Sequence, residues 1–565
     1  MKHFFSFSIW CRWVALGMLV LLGATARAQA PDWQQALAIT TATGSTSEVT
    51  ATAVDASGNV YVAGSFQGTV GFGSVTLTSA VNYAGFVAKW DPTAGTWVWA
   101  QPLATTQSAY VTTLAVQGTS LYVGGLFIDA ITLGNITLAG AGSYRGFVAK
   151  LSDSGPTARF VWAQAIGGTA YDYVLGLAVQ GSSVYVVGAL SSPTVSFGPA
   201  TVTNSGYSTG FVAKLLDAGA SASYAWVQAV GSPGQSRLGA VAVLGANVYV
   251  AGSFAGPATC GSTTLASSST NDTDVLVARL TDAGTSASFA WARQAGGTGP
   301  DRATALAVAG SSVYVAGDVA SATNVFGSTS LASLGRSDAF VAKLTDSGPT
   351  GSFAWAQLAG GAGYEAVTAL AVQAPSVYLS GYATSAQARF GTTTLAGLGD
   401  YDAFAARLLD AGSSGSFVWA RQAGSSGSDE ATTLVLRGTQ VVVGGYAAGR
   451  PRFGPLVLGT AGTATFGFLA TITDAAALAV APRLLPAGAV SLFPNPAHGT
   501  ATVQLHAGTG PAVFTIIDAQ GRTLRTQTTA PDSNAALDLT GFAPGLYAVR
   551  VAAGGRTATH RLVVE

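Results

Sequence analysis

Four carboxylates stand ten residues after a tryptophan, and they are the strongest candidates for chemistry in this chain. They are Asp172, Asp301, Glu365 and Asp429. Two carboxyl groups separated by about 5 Å or about 6.5–9.5 Å can hydrolyse a glycoside, and a wider arc of carboxylates can bind a polyol or a cation. The aligned copies of the segment carry Ala109 and Ser236 instead, and the first copy has an insertion around Glu48.

Tyrosine and arginine side chains accompany these carboxylates in the same segments. They are Tyr110, Tyr171, Arg237 and Arg302. Together with the four carboxylates they form the predicted binding set. The alternative is that each carboxylate caps a turn of its own segment and contacts no ligand.

Other catalytic residue types are scarce in the long central part of the chain. His3 lies near the N terminus, and His498, His506 and His560 lie near the C terminus. A Ser-His-Asp triad or a histidine-ligated metal is therefore not expected in residues 29–474, and no catalytic residue, metal or cofactor is predicted. Cys260 aligns with Phe or Leu in the other copies, which indicates a buried apolar position rather than a nucleophile.

One segment recurs along the chain and predicts its architecture. It reads VYVAG in its clearest form, and it ends at Gly64, Gly125, Gly188, Gly252, Gly317, Gly381 and Gly445, at intervals of 61 to 65 residues. Such a period indicates tandem copies of one unit that cannot bury its apolar faces alone. In residues 304–358 the unit contains four short β-rich segments. The fold class predicted is all-β, with a seven-bladed β-propeller of four-stranded blades.

The phase of the repeat predicts how the ring closes. The last copy stops after its third strand, GFLATIT (467–473), whereas PDWQQALA (31–38) precedes the first copy. The N-terminal segment is therefore expected to supply the missing fourth strand, with Trp33 in the position that Trp99 and Trp162 occupy in their copies. Closure removes the exposed sheet edges. An open solenoid is the alternative.

The propeller fold assigns a place to the candidate residues. The loops that carry them edge the mouth of the central funnel, so an arc of acids and tyrosines is predicted there. An aspartate also follows the third strand of each copy, at Asp91, Asp153, Asp217, Asp282, Asp346, Asp410 and Asp474. A short acceptor followed by Gly is typical of a turn, so we interpret these aspartates as structural.

The repeat resembles a known family. The segments GNVYVAGSF (58–66), DAFVAKL (338–344) and FAWAQLAGG (353–361) resemble the SBBP-type β-propeller repeat of secreted bacterial proteins. The resemblance covers roughly residues 31–474. It implies the propeller fold and says little about activity, because this fold hosts many functions.

The periodicity ends at Asp474. Residues 475–490 are rich in Ala and Pro and are predicted to be a linker, and residues 491–565 contain short alternating segments that predict a small Ig-like β-sandwich. The motifs LFPNP (492–496), IIDAQGR (516–522), GFAPGLYAVRV (541–551) and HRLVVE (560–565) resemble the type A C-terminal sorting domain of the type IX secretion system. The resemblance assigns the sorting motif to Pro494, Asn495, Pro496, Gly521, Arg522, Gly545 and Tyr547. It implies the type IX machinery as a partner.

The N terminus predicts entry into the export route. Lys2 and Arg12 precede an apolar run at residues 13–24, and this run is too short to span a bilayer as a helix. Residues 1–28 are predicted to be a signal peptide that is cleaved after Ala28, with a retained signal anchor as the alternative. The mature chain is therefore predicted to have no transmembrane segment and to lie outside the cell or on its outer surface.

Composition narrows the function classes. The formal net charge is zero and only 9% of residues are charged, so the chain lacks the basic field that nucleic acids attract. The leading prediction is a non-catalytic module that binds a glycan or a protein. One alternative is an extracellular hydrolase or lyase that acts on polysaccharide through the acidic loops. Another is a structural surface component without a specific ligand.

Overall fold

The computed structural model describes residues 30–267, 269–459, 464–474, 483–484, 490–505, 512–518, 523–529, 534–553 and 556–565. The chain divides into two compact units, Met1–Leu478 and Ala479–Glu565. The regular secondary structure of the described residues is all β, with no helix among them. The predicted signal peptide 1–28, its cleavage site at Ala28 and most of the predicted linker 475–490 lie outside the described residues.

Each copy of the repeat forms an antiparallel four-stranded arrangement in which the strands pair in a simple order. The described residues contain seven such sheets, which we number by the position of their first strands. A short hairpin connects the second strand to the third in most copies. The size and strand order of these sheets are consistent with propeller blades.

The strands of the first four sheets have the following bounds. Sheet 1 contains Thr46–Val54, Val60–Phe72, Val75–Asp91 and Thr96–Thr105, with the short strand Thr40–Thr41 beside it. Sheet 2 contains Ser108–Gln117, Ser120–Ile128, Arg145–Asp153 and Ala158–Ile166, with the hairpin Ala130–Leu133 and Ile136–Ala139. Sheet 3 contains Asp172–Gln180, Ser183–Leu190, Thr209–Asp217 and Ala222–Val230, with the hairpin Thr194–Phe197 and Ala200–Thr203. Sheet 4 contains Ser236–Leu244, Asn247–Phe254, Asp274–Asp282 and Ala287–Ala295, with the hairpin Ala258–Cys260 and Thr263–Leu265.

The other three sheets repeat this plan. Sheet 5 contains Asp301–Ala309, Ser312–Val319, Asp338–Asp346 and Gly351–Ala359, with the hairpin Thr323–Phe326 and Thr329–Ala332. Sheet 6 contains Glu365–Gln373, Ser376–Ala383, Asp402–Asp410 and Gly415–Gly424, with the hairpin Gln387–Phe390 and Thr393–Ala396. Sheet 7 contains Glu430–Arg437, Gln440–Ala448, Thr465–Thr473 and Trp33–Ala38, with the hairpin Arg452–Phe453 and Leu456–Val457.

The second strand of each sheet is buried on both faces, as its lack of polar alternation predicts. In Ser183–Leu190 every residue after the first is buried. The reason is that the apolar clusters lie between successive sheets: one joins Tyr185 of sheet 3 to Val250 of sheet 4, and another joins Val442 of sheet 7 to Val62 of sheet 1. Burial of apolar area is worth about 25 cal/mol per Å², so each sheet depends on both of its neighbours.

The N-terminal strand completes sheet 7, and this prediction is confirmed. Trp33–Ala38 pairs antiparallel with Thr465–Thr473. The register, however, differs from the one expected. Trp33 lies opposite Ile472, and Gln35 lies opposite Thr471.

The prediction that Trp33 takes the tryptophan position of its sheet is therefore wrong. In sheet 2 the tryptophan Trp162 lies opposite Lys150, and Lys150 corresponds to Thr471. Gln35 occupies that position in sheet 7. Trp33 takes the place of Phe160 instead, and its ring meets Phe453 edge-on with centroids 5.3 Å apart. The fourth strand of each of the seven sheets has the register shift seen between Trp33 and Gln35. Counting residues along the sequence does not reveal such a shift.

The second unit contains two sheets that share one core. The larger consists of Arg483–Leu484, Ala512–Ile517, Thr523–Thr529, Gly545–Ala553 and Arg556–Val564, and the smaller of Val490–Phe493, Thr500–Leu505 and Ala535–Asp538. Val503 and Leu537 of the smaller sheet pack in the same cluster as Phe514 and Val549 of the larger sheet. Alternate residues of these strands point into the cluster, as the period-2 pattern predicts.

Candidate functional site

The first strand of every repeat sheet carries a β-bulge, and the glycine of VYVAG makes room for it. A Cβ atom at Gly252 would stand 1.9 Å from the carbonyl oxygen of Arg237, and one at Gly317 would stand 2.0 Å from that of Arg302. The same contact distance of 1.8–2.0 Å recurs at Gly64, Gly125, Gly188, Gly381 and Gly445. Only glycine allows the bulged strand to approach so closely, which explains its presence in every copy.

The first strands of all seven repeat sheets line one open channel. The residues two positions before the bulges, of which Arg237, Arg302 and Ala366 line a recess next to it, mark one mouth of this channel. We call these residues the mouth ring: Glu48, Tyr110, Tyr173, Arg237, Arg302, Ala366 and Glu430. Arg237 and Arg302 are exposed, Ala366 is buried, and the others are half-buried. Their carbonyls are the ones that touch the repeated glycines, so the bulge fixes the backbone of the mouth ring.

The bulged residues themselves form the narrow part of the channel. We call them the channel ring: Thr50, Thr112, Leu175, Gly239, Thr304, Thr368 and Thr432. Several threonines donate their hydroxyl to a carbonyl of the next sheet, and Thr432 of sheet 7 donates to Val49 of sheet 1 at 2.5 Å. The channel ring therefore ties the last sheet to the first.

A recess lies between the channel ring and the mouth ring. Its volume is about 440 Å³, and its walls include Arg237, Arg302, Asp318 and Tyr382. Arg302 forms an ion pair with Asp318 at 2.9 Å, and the charge of Asp318 raises the pKa of the guanidinium. Arg237 forms no ion pair or hydrogen bond with any described residue. The recess thus holds one paired and one unpaired guanidinium.

Charge is divided between opposite sectors of the mouth ring. Glu48 and Glu430 belong to sheets 1 and 7, which are neighbours, and Arg237 and Arg302 belong to sheets 4 and 5. Burial raises the pKa of Glu430, and the nearby charge of Glu48 raises it further. The recess side of the mouth therefore favours anions, and the acidic sector disfavours them.

The four predicted carboxylates do not line the recess. Asp172, Asp301 and Glu365 are fully buried, and Asp429 is 1% exposed. The first strand alternates its faces, so the residue before each mouth-ring position points away from the channel. In this arrangement the four carboxylates are not accessible to a polyol or a cation in the channel.

Their contacts are those of the turn-capping alternative. Asp172 accepts hydrogen bonds from the backbone N–H of Gly168 at 2.7 Å and of Ser191 at 3.0 Å. Glu365 accepts from Gly361 at 2.8 Å and Ser385 at 3.0 Å, in the same pattern. Each carboxylate thereby joins the loop from the preceding sheet to the end of its own second strand. Burial raises the pKa of Asp301, Glu365 and Asp429, although these hydrogen bonds oppose it.

The other predicted residues are brought together at the mouth. Arg237 and Arg302 line the recess, and Tyr110 stands in the mouth ring. Tyr171 is 54% exposed beside them, and its ring lies 5.9 Å from that of Tyr144. Tyr144, Tyr173, Asp318 and Tyr382 belong to the same region and were missed by the sequence reasoning. The period-2 alternation of the first strand could have identified Tyr173.

The aspartates that follow the third strands lie in a second recurring cluster, which joins each sheet to the preceding one. The sequence indicated the aspartates but not their partners in the preceding sheet. Asp217 of sheet 3 accepts hydrogen bonds from Tyr122 at 2.7 Å, Lys150 at 2.5 Å and Trp162 at 3.0 Å, all of sheet 2. It also caps its own turn at Gly219 N–H. The same arrangement surrounds Asp153, Asp282, Asp346 and Asp410, with Arg in place of Lys at Asp346, and Asp474 has the related partners Tyr378, Arg407 and Trp419. These aspartates join neighbouring sheets as well as closing turns.

Burial and pairing act in opposite directions on these carboxyl groups. Burial alone would raise the pKa of Asp217, but the hydrogen bonds from Lys150 and Tyr122 outweigh it and lower the pKa. The pKa of Asp153, Asp282, Asp346 and Asp410 is lowered in the same way. Cys260 has no such partner in the described part of the chain. It is fully buried, and burial raises the pKa of its thiol to about 12, which agrees with an inert apolar position.

The sorting motif connects the ends of the two sheets in the second unit. Asn495, between Pro494 and Pro496, donates its side-chain amide to the Arg561 carbonyl at 2.6 Å and accepts from the Val563 N–H at 2.8 Å. Tyr547, two residues after Gly545, donates its hydroxyl to the Ala543 carbonyl at 2.7 Å. Gly521 and Arg522 lie outside the described residues.

Comparison with known proteins concerns this last domain most directly. Residues 491–565 match the family described as the secretion system C-terminal sorting domain. The C-terminal domain is a type IX sorting domain. It directs export through the type IX machinery, and the protein is located at the cell surface or outside the cell. Among the described residues there is no helix that is long and apolar enough to cross a membrane.

The remaining comparisons say little about the repeated unit. None of the curated proteins matches the chain. A crystal structure of a protein of unknown function from Dyadobacter fermentans is 12% identical, with 79% of this chain and 99% of that chain covered and a TM-score of 0.34. The extracellular domain of a protein described as a hybrid two-component system from B. thetaiotaomicron is 8% identical, with 91% and 97% covered and a TM-score of 0.15. Both TM-scores are too low to assign a fold.

Proposed function

We propose that residues 29–474 form a seven-bladed β-propeller that acts outside the cell as a non-catalytic module and binds a glycan or a protein at the mouth of its channel. The observation that carries the proposal is the recess of about 440 Å³ with the unpaired Arg237 in its wall. Solvated cations on a surface are common, but cations and the aromatic ring of Tyr382 that line one recess are typical of a binding site.

The contacts between sheets support the ring. Apolar clusters join each sheet to the next, and the cluster of Val49 and Val442 joins sheets 7 and 1. The N-terminal strand supplies the fourth strand of sheet 7, so the sheet has no open edge at that position. We also propose the SBBP-type repeat for these sheets, a signal peptide at 1–28, a linker at 475–490 and an Ig-like sandwich for 491–565.

The hydrolase or lyase alternative receives less support. It requires two carboxyl groups that face a common cavity. Asp301 accepts hydrogen bonds from the Gly297 N–H at 2.7 Å and the Ala320 N–H at 2.9 Å, and Glu365 is engaged in the same manner. Neither lines the recess. The third class, a structural component without a ligand, is disfavoured by the recess itself, since flat polar faces would suit that role better.

The proposal is tested with the full mature chain. We would measure binding to a panel of glycans and purified surface proteins by calorimetry, and repeat the measurement with Gly239→Leu. Leu175 occupies the equivalent position in sheet 3, so the fold already accommodates leucine in the channel ring. The variant should keep its thermal midpoint and weaken binding by narrowing the recess. Absence of binding across the panel would contradict the proposal, and binding that Gly239→Leu leaves unchanged would place the ligand elsewhere.

A further inference from the structure

The tyrosines at the mouth form a continuous run. The ring of Tyr83 lies 5.3 Å from Tyr110, Tyr110 lies 6.2 Å from Tyr144, and Tyr144 lies 5.9 Å from Tyr171 and 6.5 Å from Tyr173. These residues come from sheets 1, 2 and 3 and from the loop that precedes sheet 3. All of them are half-buried or exposed. The run is therefore an aromatic surface rather than a part of the core.

The run leads to the unpaired guanidinium. Burial raises the pKa of the Tyr173 phenol, and the nearby charge of Arg237 opposes this rise. Burial also lowers the pKa of Arg237, and the nearby charge of Arg302 lowers it further. Arg302 is neutralised by Asp318 at 2.9 Å. Arg237 is thus a cation without an ion pair among the described residues, and it lies at the end of the tyrosine run in the wall of the recess.

The chemistry of this surface points to one ligand class. Tyrosine offers a flat apolar ring with a hydroxyl at its edge, which matches the C–H face and hydroxyl rim of a pyranose. An arginine presents a planar fork of donors that binds a carboxylate through two hydrogen bonds. The acidic sector at Glu48 and Glu430 repels an anionic group, so it directs such a group towards Arg237.

We propose that the mouth binds an acidic saccharide, with a sugar carboxylate paired to Arg237 and neighbouring sugar rings stacked on the tyrosine run. This inference rests on the proposed function and names its ligand class. A protein ligand is disfavoured because, among the described residues of the mouth ring, Arg237 is the cation without an ion pair, and it lies in the wall of the recess with the tyrosine run extending from it over neighbouring sheets. A carbohydrate chain with one ring at the recess fits both features.

The test compares charged and uncharged forms of the same sugars. The probes are short oligomers of galacturonate, of mannuronate and of glucuronate-containing chains, each with its methyl ester, and calorimetry with the full mature chain measures binding. We expect at least one acidic form to bind about ten- to a hundredfold more tightly than its ester, because a hydrogen-bonded charge pair is worth that difference. Added salt should reduce the difference.

Variants separate the two parts of the site. Arg237→Gln should remove the preference for the acid over the ester, whereas Arg159→Gln, which removes an exposed cation from the fourth strand of sheet 2, should not. Tyr144→Ala and Tyr171→Ala should weaken the binding of the acid and the binding of the ester to the same extent. Tyr364→Ala is the matched control, since Tyr364 precedes Glu365 as Tyr171 precedes Asp172 and contacts Arg336 instead of the run. Thermal midpoints confirm that each variant is folded.

The other outcomes discriminate between this inference and the proposed function. Equal binding of acid and ester, or binding of neutral glycans alone, overturns the inference and leaves a binding propeller. Binding of an acidic peptide that depends on Arg237 and not on the tyrosines also overturns it. If none of the acidic saccharides binds, the inference is overturned. If nothing in the whole glycan and protein panel binds, the proposed function is overturned as well.

Discussion

A single glycine in each repeat determines where the mouth residues stand. Its missing Cβ lets the bulged first strand lie against the second, and the carbonyl of each mouth-ring residue occupies the space that a side chain would need. The glycine acts on the site without contacting a ligand. A sequence motif that reads as a structural marker therefore also positions Arg237 and Arg302.

The first prediction concerns Gly252→Ala. The added methyl group would meet the Arg237 carbonyl oxygen at 1.9 Å, so the two strands must separate locally. We expect a loss of about 1–3 kcal/mol in the free energy of unfolding, measured by chemical denaturation. Gly239→Ala is the control, since its Cβ would meet its nearest neighbour at 3.5 Å, an ordinary contact. Equal stability of the two variants would contradict the steric account.

The second prediction concerns the aspartates between sheets. Asp217→Asn removes the charge that Lys150 faces at 2.5 Å, and we expect a loss of about 2–4 kcal/mol at neutral pH. Asp91→Asn is the matched control. The sheet 7 positions that correspond to Tyr122 and Lys150 hold Val442 and Thr471, and among the described residues the Asp91 side chain accepts from the Thr93 and Ala94 N–H groups alone, so we expect a loss below about 1 kcal/mol.

The difference between wild type and Asp217→Asn depends on pH with a fixed sign. The pKa of Asp217 is lower in the folded protein than in the unfolded chain, so its stabilising contribution is fully present above the unfolded value of about 3.9. It is lost as the pH falls through the lower, folded pKa. Denaturation measured from pH 7 downwards should therefore show a constant difference that shrinks in acid. A difference that grows in acid would refute the assignment.

At the scale of strands, the sequence predicted most of what the structure contains. In the second unit the short alternating segments predicted within residues 491–565 are strands such as Ala512–Ile517 and Thr523–Thr529, because period-2 patterns are strong where one face is buried. The closing strand was predicted as well. Its register was not, because a strand irregularity shifts a position count without changing composition, and Trp33 offered a misleading match.

The site was predicted less well than the strands, for a related reason. Spacing identified the correct segment but not which residues face the channel. Asp172 and Tyr173 are adjacent, and alternation sends one into the loop contacts and the other to the mouth. Carboxylates are frequent catalytic and binding groups, so the sequence favours them as candidates. Arg237 is the stronger candidate because it lies in the recess wall and has no ion pair among the described residues, and neither fact can be predicted from spacing.

The third prediction concerns the closing strand. Without residues 31–38, the strand Thr465–Thr473 has a free edge and Phe453 loses its contact with Trp33. We expect a lower thermal midpoint and concentration-dependent association, measured by calorimetry and light scattering. A synthetic peptide of residues 31–38, added in excess, should reverse both effects, whereas the same peptide with Trp33→Ala should do so poorly. A shortened chain that stays monomeric and stable would show that the strand is dispensable.

For the whole repeated unit, the interfaces between sheets are not equivalent. Six aspartates, Asp153 to Asp474, receive Tyr, Lys or Arg, and Trp partners from the preceding sheet. The interface of sheet 7 with sheet 1 lacks this cluster, since Val442, Thr471 and Gln35 occupy the partner positions. In its place Arg437 donates to the Gly58 carbonyl at 2.7 Å, and the Thr432 hydroxyl makes the same bond that channel-ring threonines make at other interfaces.

The fourth prediction follows from this inequality. Hydrogen exchange should be faster in Gln440–Ala448 of sheet 7 than in the equivalent strand Asn247–Phe254 of sheet 4, because local opening should begin where the ion pair is missing. Mass spectrometry of peptides from the two strands measures the rates. Arg437→Gln should speed exchange in sheet 7 and leave sheet 4 unchanged. Faster exchange in sheet 4 would show that the aspartate clusters do not set the order of opening.

The strand Trp33–Ala38 also ties assembly to the direction of synthesis. Trp33–Ala38 is made before the repeats, and its partner, Thr465–Thr473, is available only after every intervening repeat has been made. That partner is followed along the chain by residues 475–490 and then by the sorting domain at residues 491–565. A chain truncated anywhere within the repeats therefore lacks both the strand that pairs with Trp33–Ala38 and the sorting domain. Such a chain can neither complete sheet 7 nor be directed to export.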